Sequence, residues 1–375
     1  MRGNGLVVLL ALVLFAFAAV AGAWWFARHR AEQQAAATPP RPDVSTRSAD
    51  PTPSAGTPPA NDRVAAAAES PQSVSAQQPS APTANAPAVT AAAPAPATSP
   101  IRAPAALQEF ERGLLWRVEK GGAAPSFVFG TIHVADPRVT QLPPAVASAF
   151  EGAKSFAMEA VLDIENSLKF AQATMLSDGR DLESLAGPEL FAKTERLMQS
   201  YGVPHEVLRT MKPWAVMAML SLPQSGDRAA LDMQLYQSAL ERGKPVHGLE
   251  TIEEQIEVFE GLPMDAQLAL LSNTVDQYDA ITRMTGRVID AYLARDLAAI
   301  RRINEQMQVN SSARGEDELL MKRALGDRNP RMVERMRALI DAGGAFIAVG
   351  ALHLPGEGGV LNLLAKQGYR LSRVY

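Results

Sequence analysis

One short pattern occurs twice in this chain and limits its fold more than any other feature. Phe127-Val128-Phe129-Gly130-Thr131-Ile132-His133-Val134 stands in the first half, and Ile347-Ala348-Val349-Gly350-Ala351-Leu352-His353-Leu354 near the end. Each is a short apolar run, then Gly, two residues, His and another apolar residue. A brief continuous run rich in β-branched and aromatic residues reads as a strand buried on both faces. A glycine closing such a strand lets the backbone turn sharply or come close to a ligand. Each histidine then lies just past the carboxyl end of its strand, where open α/β sheets bind ligands. The chain has 5 histidines in all, and two of them hold these matched places.

The rest of the 375 residues adds exclusions. Net charge is -4, so no broad basic footprint points to nucleic acid. The absence of cysteine removes disulfides, thiolate metal sites and a cysteine nucleophile. Leu6 to Ala27 is uncharged and apolar, flanked by Arg2 on one side and by Arg28 and Arg30 on the other. About 20 such residues span a bilayer core. Residues 1–30 therefore read as a signal anchor or a secretory signal peptide, with Ala21-Gly22-Ala23 as a small-residue cleavage site. From 31 to 104 the chain is Ala, Pro, Ser, Thr and Gln, and it holds more than half of the 27 prolines. It has too little apolar surface to offset ordering entropy and reads as a disordered linker. Residues 105–375 are left for one folded domain.

Along that domain, Leu114–Val118 and Ser126–Phe129 predict an opening hairpin across Gly121-Gly122. A helix from Pro144 to Ala153 and a strand Ser155–Glu159 follow. Helical spacing marks Ser167–Leu176, Pro188–Tyr201, Trp214–Leu222 and Ala229–Arg242. Lys244–Glu250 reads as a short strand, with Thr251 and Glu254 forming a capping box for the next helix. Pro263 to Met307 is amphipathic throughout and predicts one long helical stretch. Arg331–Asp341 is a helix, Ala345–Val349 the second motif strand, Gly358–Lys366 a helix and Tyr369–Val374 a closing strand. The fold class is α/β: a central mixed β-sheet flanked by helices, carrying a large helical insertion. Neighbouring positions for the two motif strands would let their histidines converge.

Four polar side chains follow predicted strands: His133, Glu159, Glu250 and His353. Two imidazoles and a carboxylate suit a divalent transition metal, zinc among them, which can make a nucleophile of water. A further carboxylate serves as general base or orients a histidine, and Arg328 could steady an oxyanion. Plainer roles exist for each. A histidine after a strand can be a hydrogen-bonded support, and Glu159 can end in solvent. Glu250 can stabilise a helix N-terminus, Asp232 reads as a first-turn acid, and Arg328-Asn329-Pro330 as a turn before a helix. His247 alternates toward the core and reads as a buried, satisfied histidine. His205 lies in Pro204-His205-Glu206-Val207-Leu208-Arg209, which lacks the second histidine of a His-Glu-x-x-His zinc helix. No Gly-x-Ser-x-Gly, P-loop or dinucleotide fingerprint occurs.

Taken in order, these residues resemble the TraB/GumN family. The resemblance is carried by Leu115-Trp116-Arg117-Val118, Phe129-Gly130-Thr131-Ile132-His133, Gly243-Lys244-Pro245-Val246, Gly248-Leu249-Glu250-Thr251 and Arg328-Asn329. It continues through Val349-Gly350-Ala351-Leu352-His353-Leu354-Pro355-Gly356, Gly359-Val360 and Gly368-Tyr369. That family is similar to the Tiki membrane-tethered metalloproteases, which share two Gly-x-x-His motifs and a glutamate at a divalent metal site. The resemblance implies that His133, His353 and Glu159 are metal or catalytic residues. It makes Arg328 and Asn329 the paired polar residues, and Asp232 and Glu250 further acidic positions. It also implies a manganese- or cobalt-like metal, a peptide or protein substrate, and a membrane-anchored or secreted domain on the periplasmic side. The leading expectation is an extracytoplasmic metal-dependent peptidase. The alternatives are an envelope protein that binds a metal, haem-like ligand or peptide without turnover, and one whose histidines only support the fold.

Overall fold

The structure is a computed structural model that describes residues 110–224, 228–309 and 311–375. The expected anchor (1–30) and linker (31–104) lie outside the described residues. Among the described residues no helix is long and apolar enough to cross a membrane.

Six strands form one sheet: β1 (Leu115–Glu119), β2 (Ser126–Thr131), β3 (Ser155–Met158), β4 (Val246–Gly248), β5 (Ala345–Gly350) and β6 (Arg370–Arg373). Their spatial order is β4-β3-β5-β2-β1-β6. The four strands β4, β3, β5 and β2 run parallel, while β1 pairs antiparallel with both β2 and β6. The two motif strands are therefore direct neighbours, as their matched composition predicts. Their register sets Gly130 opposite Val349 and Thr131 opposite Gly350, one residue out of step. All six residues of β5 are buried, as a strand with neighbours on both edges and cover on both faces must be. Phe346 of β5 sits edge-on to Phe150 at 5.3 Å, with Phe129 and Phe156 at 5.8 and 6.4 Å. This aromatic cluster pins the helix Pro144–Gly152 to the sheet centre.

Gly130 has a steric reason to be glycine. A Cβ there would stand 2.7 Å from Leu354 Cδ1 and 3.2 Å from Ala351 Cα. The missing side chain lets the turn after β5 pack directly onto the end of β2.

The helical part departs from expectation in several places. The strand expected within Lys244–Glu250 is present as β4 and divides the helical insertion in two; the departures lie in the helices themselves. The stretch Pro263–Met307 is three helices, Met264–Asp276, Tyr278–Leu293 and Leu297–Val309. Gln277, at φ -107 and ψ 6, separates the first two. Arg295, in the left-handed region at φ 57, lies between the second and third. Amphipathic spacing continues through such breaks because each helix faces the same core. The predicted helix at Pro188 is the second part of Leu182–Gln199, kinked at Gly187 (φ 76) just before the proline. Helices Pro137–Thr140, His205–Thr210 and Arg314–Met321 were not expected; the first two are too short to show a period. The helix over Arg331–Asp341 begins earlier, at Arg328, straight out of a π-helical turn at Lys322–Gly326. Pro330 is accommodated because first-turn N–H groups have no helical partner to lose.

His247 corrects the expectation of a buried histidine. It is exposed, because β4 is the edge of the sheet and only one of its flanks is paired. The predicted capping box is present: the Thr251 side chain accepts from the Glu254 N–H, and Glu254 accepts from the Thr251 N–H.

Candidate functional site

Each of the four parallel strands delivers one polar group at its carboxyl end. β2 supplies His133, β3 Glu159, β4 Glu250 and β5 His353, the last on the turn Ala351–His353. Two helix starts complete the set: Asp232 in the first turn of Leu231–Glu241, and Arg328 with Asn329 at the head of Arg328–Ala342. All seven are buried, none more than 5% exposed. These seven residues come from six separate stretches of the chain, and the sheet gathers them at one end.

Hydrogen bonds join them in two branches. In one, His133 Nδ1 lies 2.7 Å from Asp232 Oδ2, and the Thr131 hydroxyl donates to Asp232 Oδ1. In the other, His353 Nδ1 lies 2.5 Å from Asn329 Oδ1, while Asn329 Nδ2 donates to the Gly358 carbonyl at 2.8 Å. The second motif also acts through its backbone. The Gly350 N–H donates to Glu159 Oε1 at 2.7 Å, and the same oxygen lies 3.5 Å from His353 Nε2.

Arg328 lies among the carboxylates. Its Nη2 donates to Glu159 Oε2 and to Glu250 Oε2, both at 2.6 Å, and its Nε reaches Glu250 Oε2 at 2.8 Å. Arg331 Nη2 takes the other Glu250 oxygen at 2.7 Å. Arg328 also donates to the Ala324 carbonyl inside the π-helical turn, which ties that distortion to the placement of the guanidinium. Such forked pairs fix geometry as well as charge.

Charge and burial push the two histidines apart. At His133 burial opposes the charged form, but the Asp232 carboxylate, by charge and hydrogen bond, and then Glu159 outweigh it and raise the pKa. At His353 burial dominates and Arg328 adds repulsion, so the pKa falls well below the usual histidine value. Glu250 opposes this shift, and a charge on His133 adds to it. Burial alone would raise Asp232, yet His133 and then the Thr131 hydroxyl hold it below the usual aspartate range. Arg328 is driven higher still by Glu159 and Glu250, against the opposing effect of burial, and stays charged.

Two observations bear on whether a cation fits. Glu159, Glu250 and Asp232 set three carboxylates against the guanidinium groups of Arg328 and Arg331, leaving negative charge in excess when both rings are neutral. His353 Nε2 is buried, makes no hydrogen bond and faces a carboxylate oxygen. A bare imidazole nitrogen opposite a carboxylate is a donor pair that suits a Lewis acid. Among the described residues, however, no group of three or more His, Asp or Glu side chains is gathered as a metal cage.

Sequence reasoning did not single out Thr131, the Gly350 N–H or Arg331. Thr131 stands inside the first Gly-x-x-His motif, so its place was visible although its partner Asp232 was not. His205 belongs elsewhere: it is exposed and pairs with Glu195 at 2.8 Å.

Residues 114–373 match the family described as TraB/PrgY/gumN. The chain is 27% identical over 320 residues to the metalloprotease TIKI2 of Danio rerio, covering 71% of this chain and 61% of the relative. It is 24% identical over 312 residues to the human metalloprotease TIKI1, covering 69% and 61%. To the uncharacterized protein YbaP of Escherichia coli (strain K12) it is 28% identical over 242 residues, covering 63% and 86%. The chain thus spans about three-fifths of the length of these TIKI relatives. No solved structure matches it. Because the match runs from the first strand of the sheet to the last and takes in every group at its carboxyl end, the chain belongs to the TraB/PrgY/gumN family.

Proposed function

We propose that this protein is a metal-dependent hydrolase that cleaves peptide or protein substrates on the extracytoplasmic side of a membrane, tethered or released through residues 1–30. The observation that carries the reading is His353 Nε2, buried without a hydrogen bond opposite Glu159 at the end of the paired motif strands. The metalloprotease names of the TIKI relatives support it. His133, His353 and Glu159 would hold a divalent cation of manganese, cobalt or zinc type, which when bound supplies Lewis acidity toward a carbonyl.

The chain's own groups have separate tasks in this reading. Arg328 and the Gly350 N–H hold Glu159 aimed at His353. Glu250 acts by holding Arg328, since its two oxygens accept from Arg328 and Arg331. Asp232 Oδ2 takes the Nδ1 side of His133 and so orients the ring for the cation. Burial of these groups at the sheet end strengthens each of these interactions.

One observation favours a second reading. The carboxylates and Arg328 already satisfy one another in a closed cluster, as in a binding site or support that performs no chemistry. The deciding experiment measures divalent metal on the purified full chain after reconstitution with manganese, cobalt and zinc, followed by peptide cleavage under the metal retained. The expected result is roughly one ion per chain, lost in folded His133→Ala and His353→Ala proteins along with cleavage. Absence of both metal uptake and hydrolysis from the unmodified chain would overturn the proposal and favour the binding or support role.

A further inference from the structure

Each histidine turns Nδ1 to a partner on another element, Asp232 or Asn329, and those partners have little freedom. Asp232 presents carboxylate oxygens, which accept, so His133 Nδ1 carries the proton of their 2.7 Å bond. The other Asp232 oxygen is taken by the Thr131 hydroxyl, whose alternative acceptor, the Val349 carbonyl, is 3.4 Å away. At His353 the partner is an amide, and its orientation is settled independently. Asn329 Nδ2 donates to the Gly358 carbonyl, which leaves Oδ1 against the ring. A flipped amide would set one carbonyl against another and lose that bond. His353 Nδ1 must therefore donate as well.

We propose that Thr131 acting through Asp232, and Asn329 held by the Gly358 carbonyl, are positioning residues that lock His133 and His353 as Nδ1–H tautomers, each with its Nε2 lone pair toward the shared site. The two locks are chemically unlike. Asp232 offers a carboxylate acceptor fixed by the Thr131 hydroxyl, and Asn329 a neutral amide oxygen fixed by the Gly358 carbonyl. Thr131 is the component that nothing in the chemistry of Gly-x-x-His requires. Its hydroxyl gives Asp232 a second fixed contact and so sets the carboxylate's rotation. The proposal deepens the functional reading above by naming how the two rings are aimed, yet it can be judged without turnover.

The test reads ring tautomers by long-range proton–nitrogen correlation on the full chain, labelled with nitrogen-15 at its 5 histidines, at a pH where the rings are neutral. In the unmodified protein His133 and His353 are expected to show protonated Nδ1 and bare Nε2. Asp232→Asn is expected to move the His133 proton to Nε2. The Thr131 hydroxyl keeps the amide oxygen, so the amide N–H faces the ring. A buried hydrogen bond of this kind biases the ratio by roughly tenfold or more, and His353 serves as the unchanged control. Adding Thr131→Val to Asp232→Asn removes the group that chooses the amide's orientation and brings the two His133 tautomers to comparable populations; Thr131→Ser does not. Asn329→Leu releases His353 alone.

Protonated Nε2 at either ring of the unmodified protein would overturn the proposal, whatever the variants do. So would a double variant indistinguishable from Asp232→Asn. Because the unmodified spectrum already decides the tautomers, a variant that fails to fold does not shelter the idea. Absence of metal uptake or cleavage would count against the hydrolase reading and leave this spectrum to judge the locks.

Discussion

Replacing Arg328 by leucine tests how much of the fold rests on the charge cluster. The substitution removes three hydrogen bonds to carboxylates, two to Glu250 and one to Glu159, all between groups at most 4% exposed. Two compensations survive: Arg331 still reaches Glu250, and the Gly350 N–H still reaches Glu159. Breaking a buried ion pair by removing one partner typically costs about 3–5 kcal/mol, because the other charge is stranded in a medium that solvates it poorly. With the two residual contacts, the lower half of that range, about 3–4 kcal/mol, is the expectation. For a domain of this size each kcal/mol lowers the melting temperature by about 2–4 °C, so the midpoint should fall by about 10 °C. Urea unfolding of the full chain, followed by circular dichroism, measures the free energy directly. Combining Arg328→Leu with Glu159→Gln and Glu250→Gln should recover a large part of the loss, since the stranded charges are gone. A loss under about 1 kcal/mol for Arg328→Leu would refute the reasoning, because an exposed ion pair is worth that much. Failure of the two glutamine changes to recover any stability would show that the cost was lost packing instead.

Two further outcomes follow from other parts of the chain. Asp317 is fully buried, and burial foremost, opposed by a Ser311 hydrogen bond and reinforced by Glu316 and Glu318, pushes its pKa up to about 7. A raised folded-state value means its contribution is complete below the unfolded value of 3.8 and is lost as pH rises through about 7. Asp317→Asn should therefore stabilise the protein by about 2–4 kcal/mol at pH 8 relative to its effect at pH 4; urea midpoints that shift equally at the two pH values would contradict this. Gly130→Ala would press a methyl group into Leu354 and the Ala351 backbone, at a cost of about 1–3 kcal/mol. It should also displace the turn that carries His353, so unchanged stability together with an unchanged His353 ring environment would show that the turn yields freely.

Much of the sheet was legible because its signals are local. The motif strands, the opening hairpin and the Thr251–Glu254 capping box depend on residues close in sequence, and all were found where expected. Helix boundaries were less legible: the same amphipathic spacing runs across Gln277 and Arg295, and backbone angles at single residues decide where a helix stops. His247 was misread because alternation marks which side a residue faces, while burial of that side depends on whether another element covers it.

The sequence by itself determined that two like strands each end in Gly-x-x-His, and that Glu159 and Glu250 stand at comparable strand ends. Only the tertiary structure decided what these residues do to one another. Strand order set β2, β5, β3 and β4 side by side, so that four carboxyl ends converge. Helix packing then brought Asp232 to His133, 99 positions away, and Arg328 to Glu159, 169 positions away. The physical reason is that buried charges and polar groups must find partners within the low-dielectric interior. Neither composition nor spacing records which partner lies within reach until the chain has closed around it.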